Sequence, residues 1–447
     1  MLCVTGQVPT QFLGKGRGHL HEMPDQLATL RTFVKWADRI EYPGNAPAQV
    51  ARAFQEMLSG RGGPVALEMP WDVFTQRADV AAAKPLDPFP APLPDTARVK
   101  AAASLIADSK RPMIFVGSGA IHARDEILEL GESIDAPVVA FRSGRGIVSN
   151  AHELGLTMAA AYRLWPTTDL MIGIGTRLEL PTMSRWPFRP DGLKSVRIDI
   201  DPSEMRRFTP DVAVVADARA ATAELLAAVR KAGYKKTSGR RAAIREASAA
   251  ALQAIQKVQP QMAYLNILRE VLPRNAIVTD ELSQVGFASW YGFPVYEPRT
   301  FITSGYQGTL GSGFPTALGA KVANPDRPVV AITGDGGFMF GVQELATAVQ
   351  FNIGVVALVF NNNAYGNVRR DQRERFDGRV VASDLVNPDF VKLAEAFGVG
   401  AARVTSPEGF RPALEKALAH GGPYLIDIEV AKDSETTPWT FIHPAKP

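Results

Sequence analysis

The stretch GDGGFMFGVQELATAVQFNIGVVALVFNN, residues 334–362, decides how this chain is to be read. Just upstream, RPVVAIT (residues 327–333) is a short β-branched run, the pattern of a parallel strand buried on both faces. It stops at Gly334-Asp335-Gly336-Gly337, where glycine lets a backbone turn tightly and approach a ligand closely. Residues 342–352 read as a helix, with Leu345, Ala348, Val349 and Asn352 at three- and four-residue spacing. A second apolar strand, 354–360, then delivers Asn361-Asn362-Asn363. The unit is βαβ, with oxygen-bearing side chains at the carboxyl ends of both strands, where open parallel sheets bind ligands.

Those residue types suit one kind of chemistry. A hard cation such as Mg²⁺ takes oxygen ligands and completes its octahedron with phosphate oxygens. Asp335 offers a carboxylate and Asn362 an amide oxygen across the crevice, while the N–H groups of Gly336 and Gly337 can meet a diphosphate. A GDG turn alone is equally an ordinary glycine-rich turn; the paired asparagines at crossover distance favour the cradle.

Working outward, 447 residues allow two or three domains of ~150 residues. An apolar content of 46%, a charged content of 21% and a net charge of +3 describe a globular chain with no call for nucleic acid or an anionic membrane. The single cysteine, Cys3, excludes an internal disulfide and a thiolate metal cluster. No apolar run reaches the ~18 residues of a membrane helix, and residues 1–10 lack a signal-peptide pattern. A cytoplasmic location is the expectation.

Residues 1–80 alternate strand, helix, strand, helix, strand, too little for a doubly wound domain of its own. A stiff Pro-rich linker covers 81–96. Residues 97–230 form a central α/β domain. Its Gly117-Ser118-Gly119 and Gly173-Ile174-Gly175 clusters do not complete GxGxxG, so a packing role is the favoured reading over a dinucleotide site. Residues 231–258, basic and then alanine-rich, read as a helical linker with a solvated charged face. A second α/β domain, 259–447, holds the opening motif, a strand ending in Asp280-Glu281, a glycine-rich loop at 305–311 and an aromatic-bearing tail.

Three stretches together, GQVPT at 6–10, GYQGTLGSGFPTALGA at 305–320 and GDG…NN, resemble the thiamine-diphosphate (ThDP) enzymes, in particular the large subunit of acetolactate synthase. The resemblance implies an α/β fold of three domains: pyrimidine-binding (here its C-terminal half, 1–80), central, and diphosphate-binding (259–447). It implies Mg²⁺ on Asp335, Asn362 and the carbonyl of Ala364, with Gly334, Gly336, Gly337, Tyr365, Gly366 and Asn367 beside the diphosphate. Leu310 would wedge the cofactor into a bent shape, and the Gly308 carbonyl would accept from its pyrimidine amine. It further implies a 2-keto acid substrate of pyruvate type, decarboxylated through an ylid and an enamine that is protonated or ligated to a second carbonyl compound. The cofactor of such enzymes lies between subunits, so a homodimer or homotetramer is expected, with a place in branched-chain amino acid biosynthesis.

Three features depart from the family pattern. The glutamate that activates the pyrimidine belongs upstream of GQVPT, so the expectation is a chain lacking the first half of that domain; Glu22 and Glu68 do not match its motif. His19 and His21 stand where a cofactor-facing glutamine is usual, which makes them candidate catalytic residues. The central domain matches no FAD-binding segment, leaving FAD open. The tail and the Lys35-Trp36 pair also resemble benzaldehyde lyase and oxalyl-CoA decarboxylase. A non-catalytic ThDP-binding subunit and a nucleotide-dependent oxidoreductase stay as alternatives.

Overall fold

A computed structural model describes residues 1–182 and 185–446. The chain forms two compact units, one of residues Met1–Leu93 with Ile200–Ser203 and Val215–Asp217, the other of the remainder.

The first unit is built on three parallel strands, β1 (Leu2–Gln7), β2 (Trp36–Arg39) and β3 (Val65–Pro70), in the order β1-β3-β2. The last strand in sequence lies in the middle, and its side chains alternate between faces. Val65 and Leu67 pack with Ile40 and Ala53, while Ala66 packs with Leu30 and Ala37. Ala53 is on the Ala46–Leu58 helix, which starts with a proline in its first turn, where the missing N–H costs nothing. Residues 76–95, with the prolines of the expected linker, carry no helix or strand.

The second unit contains two six-stranded sheets, and all five pairings of the second are parallel. The first sheet comprises β4 (Pro112–Val116), β5 (Val138–Ala140), β6 (Gly155–Leu156), β7 (Leu170–Ile174), β8 (Lys194–Asp199) and β9 (Val212–Val215), in the order β6-β5-β4-β7-β8-β9. Its four pairings that join β4, β5, β6, β7 and β8 are parallel. Its order reverses between β4 and β7, and the two glycine clusters meet there. A Cβ on Gly117 would sit 2.5 Å from the Gly175 oxygen, and one on Gly175 2.5 Å from the Gly119 carbonyl carbon. These glycines allow backbone to pack on backbone, in keeping with the packing role read from the sequence. The basic segment at 240–255 is a helix whose Ile244, Ala247, Ala251 and Ile255 belong to the core. Its charges are less solvated than expected: Arg240 is buried and donates to the Pro112 carbonyl, and Arg241 and Arg245 both pair with Glu153.

The second sheet comprises β10 (Ile277–Asp280), β11 (Phe301–Ile302), β12 (Val329–Gly334), β13 (Val356–Asn361), β14 (Gly400–Val404) and β15 (Tyr424–Glu429), in the order β11-β10-β12-β13-β15-β14. Both faces are covered. Val329 and Ala331 of β12 join a core with Phe314, Phe338 and Phe390, and Val330 and Ile332 join the larger core on the opposite face. The chain leaves β10 toward β11 on one side and reaches β12 on the other, so the crevice of this sheet opens at the carboxyl ends of β10 and β12. Among the described residues no helix is long and apolar enough to cross a membrane.

Candidate functional site

The β12 run ends at Gly334, and Asp335 opens a single helical turn, Asp335–Phe338, anchored by Phe338 between Phe314 and Phe390 at ring distances of 5.5 and 5.9 Å. The helix expected over 342–352 is shorter, Glu344–Gln350, because the chain first makes this separate turn. Both glycines after Asp335 are forced by close neighbours. A Cβ on Gly336 would lie 2.5 Å from the Tyr365 ring, and one on Gly337 would lie 2.6 Å from a Glu281 carboxylate oxygen.

Across the crevice β13 delivers the asparagines. The Asn362 oxygen accepts from the Ala364 N–H at 3.1 Å, and its amide nitrogen donates to Glu435 at 2.7 Å. The Ala364 N–H also reaches Asp335 at 3.3 Å, which ties the two strand ends together. Residues 383–385 pair with 363–365: Tyr365 N–H donates to the Ser383 carbonyl and Leu385 N–H to the Asn363 carbonyl, each at 2.9 Å. This brings Asn387 to donate to Asp335 at 2.7 Å and to Asn361 at 3.0 Å.

The electrostatics fit a cation. Asp335 is buried, and desolvation raises its carboxyl above the usual range although Asn387, Gly336 and Ala364 donate to it. Glu435 is pushed up to about 7 by burial and by the nearby Asp335 charge, against the Asn362 hydrogen bond. Two acids and the Asn361 and Asn362 side-chain oxygens lie close together, and among the described residues neither acid forms an ion pair. An all-oxygen donor set with two uncompensated carboxyls is the composition a hard divalent ion requires.

The carboxyl end of β10 completes the crevice. Glu281, 1% exposed, accepts from the Gly311 N–H and presses against Gly313 and Gly337; burial raises its carboxyl to about 7, while the Gly311 and Gly313 N–H groups oppose that rise. Ser283 caps the Gln284–Gly292 helix by accepting from the Gly286 N–H at 3.1 Å, and a Cβ on Gly334 would meet the Ser283 side chain at 3.2 Å. One oxygen each of Glu281, Gln284 and Asn367 is buried with no hydrogen-bond partner. These orphans are acceptors, which leave room for a donor or a cation rather than an anion.

Asp335, Gly336, Gly337, Asn362, Ala364, Tyr365 and Gly366 therefore come together, and Glu281 joins them to the Leu310 loop through Gly311. Gly308 and Gly311 have φ of 63° and 80°, which turn this loop so that Leu310 is only partly buried. His19 and His21 lie in the first unit. His19 stacks on Phe12 at 4.4 Å, and both histidines meet Trp71 edge-on. The sequence reading missed the Gln284–Gly292 helix and the approach of Asn387 and Glu435 to this cluster; the Asp280-Glu281 strand end it did point out.

A doubly wound sheet with buried acids, asparagines, close-approach glycines and a capped helix N-terminus gathered at its switch point is the architecture of an α/β ligand-binding protein. Residues 99–225 match the model of the thiamine pyrophosphate enzyme central domain, and residues 282–428 that of the thiamine pyrophosphate enzyme C-terminal TPP binding domain. A probable acetolactate synthase large subunit of Methanocaldococcus jannaschii is 34% identical, covering 96% of this chain and 76% of that protein. An acetolactate synthase of Arthrospira platensis is 30% identical over 98% and 79% of the two chains. A probable 2-ketoarginine decarboxylase of Pseudomonas aeruginosa is 31% identical over 96% and 78%. This chain belongs to the thiamine pyrophosphate enzyme family. It is a ThDP-dependent enzyme of the carboligase and decarboxylase type.

Proposed function

We propose that this enzyme decarboxylates a 2-keto acid of pyruvate type and ligates the resulting acyl unit to a second carbonyl compound, in a homo-oligomer. The observation that supports the cofactor half of this reading is the pair of carboxyls without an ion-pair partner, Asp335 and Glu435, on either side of the Asn362 amide and the Ala364 N–H. Mg²⁺ would be held by Asp335, Asn362 and the Ala364 carbonyl, and the diphosphate by N–H groups of Gly336, Gly337 and the turn at 365–367. Bound ThDP supplies a nucleophilic carbon for the keto group and an electron sink for loss of carbon dioxide. The chain's own residues would bind and orient it: Leu310 would support the cofactor from the loop that Glu281 holds through Gly311, and the Gly308 carbonyl would be free to accept from its amine.

Calorimetry of ThDP binding with and without Mg²⁺ tests the cradle. Asp335→Ala is expected to abolish Mg²⁺-dependent binding, and unchanged affinity would remove the assignment. Carbon dioxide release from pyruvate, 2-ketobutyrate and 2-ketoarginine, with and without added FAD, tests the reaction. Turnover with a ligated product supports the carboligase reading. Release of a free aldehyde alone supports a decarboxylase, the activity that the name of the Pseudomonas relative states. No turnover by ThDP-loaded protein overturns both.

A further inference from the structure

We propose that Glu435 is a positioning residue for the cation: it fixes the Asn362 amide so that its oxygen, and not its nitrogen, faces the metal. This rests on the cradle reading above. An asparagine amide has one accepting and one donating end, and only the oxygen can ligate a cation. In the structure the two ends have opposite and exclusive partners. The Ala364 N–H, which can only donate, meets the oxygen at 3.1 Å; the Glu435 carboxylate accepts from the nitrogen at 2.7 Å. Reversing the amide would set oxygen against oxygen and N–H against N–H, so both bonds hold one orientation.

The surrounding chain preserves this pair. A Cβ on Gly366 would lie 2.8 Å from the Asn362 amide nitrogen and 3.8 Å from Glu435, so glycine at 366 leaves the contact unobstructed. Glu435 sits between two tethered points. Val430 N–H donates to the Asn361 carbonyl at 2.9 Å, and Thr436 N–H to the Gln259 carbonyl at 2.9 Å. The Gln261 side chain donates to the Thr436 carbonyl at 2.8 Å. The nearby cations are engaged elsewhere: Arg369 and Arg373 pair with Asp433, two residues earlier in the chain. Glu435 is thus left to act through Asn362. Partners that orient a metal ligand in this way commonly govern affinity by about 10- to 100-fold.

The test is Mg²⁺ affinity, by calorimetry on the full chain at saturating ThDP, for wild type, Glu435→Ala, Glu435→Gln and Asp335→Ala. Glu435→Ala is expected to weaken Mg²⁺ by about 10- to 100-fold, with ThDP binding restored by excess Mg²⁺. Glu435→Gln, whose amide oxygen can still accept from Asn362, is expected to recover most of the loss. A purely structural role would lower the melting temperature and leave Mg²⁺ affinity of the folded protein unchanged, which overturns the inference. If Asp335→Ala loses Mg²⁺ and Glu435→Ala does not, only the role of Glu435 falls; if neither loses it, the cradle reading itself falls. Should Glu435→Ala not fold, Gly366→Ala disturbs the same contact and is expected to weaken Mg²⁺ in the same direction, with wild-type affinity counting against the inference.

Discussion

Replacing Glu281 by glutamine should make the cofactor-free protein more stable at pH 8 and leave it nearly unchanged at pH 4.5. The carboxyl is 1% exposed and pushed up to about 7 from an ordinary 4.5. With the folded value above the unfolded one, the folded state retains a proton between these two pH values that the unfolded chain has lost. Stability therefore falls as pH rises from 4.5 to about 7, and the cost stays constant above that. The difference corresponds to about 3 kcal/mol at its plateau. A glutamine oxygen can still accept from the Gly311 N–H, so the substitution removes the charge and keeps the contact that holds the Leu310 loop. Asp280, also raised to about 7 by burial, titrates in both proteins and largely cancels in the comparison. Thermal denaturation of wild type and Glu281→Gln across pH 4.5–8 is the assay. The variant's advantage should grow to a few degrees as pH passes 7. A melting-temperature difference that does not change with pH would refute the reasoning.

Two further outcomes follow from the same geometry. Leu310→Ala should leave ThDP affinity close to wild type and lower turnover by the order of 10²-fold, since a misplaced reacting group is that costly; equal loss of binding and turnover would place Leu310 in anchoring instead. Gly175→Ala, at φ 55° with its Cβ 2.5 Å from the Gly119 carbonyl carbon, should destabilise the protein by roughly 3 kcal/mol in chemical denaturation. A stable variant would mean that the β4–β7 crevice can open to admit a side chain.

The sequence by itself determined the class of fold and pointed to the stretch on which the proposed cradle rests. The apolar runs of β12 and β13, the GDG turn and the asparagines at residues 361–363 are local features, legible because strand period, glycine freedom and crossover length act over short stretches of chain. Even there one boundary was misjudged: the Asp335–Phe338 turn is stabilised by Phe314 and Phe390, which come from distant segments. Only the tertiary structure decided which other groups reach the site. Glu281 arrives because β10 lies beside β12 in the sheet although β11 lies between them in the chain. Asn387 arrives because residues 383–385 pair with residues 363–365, and Glu435 because its segment is tethered to the turn at residues 259–261. Glu281 was legible only as the end of a strand, and Asn387 and Glu435 carry no periodicity or spacing of their own. Their meaning is set by strand order and loop pairing, which fold distant residues together according to what buries well, and a linear reading has no access to that.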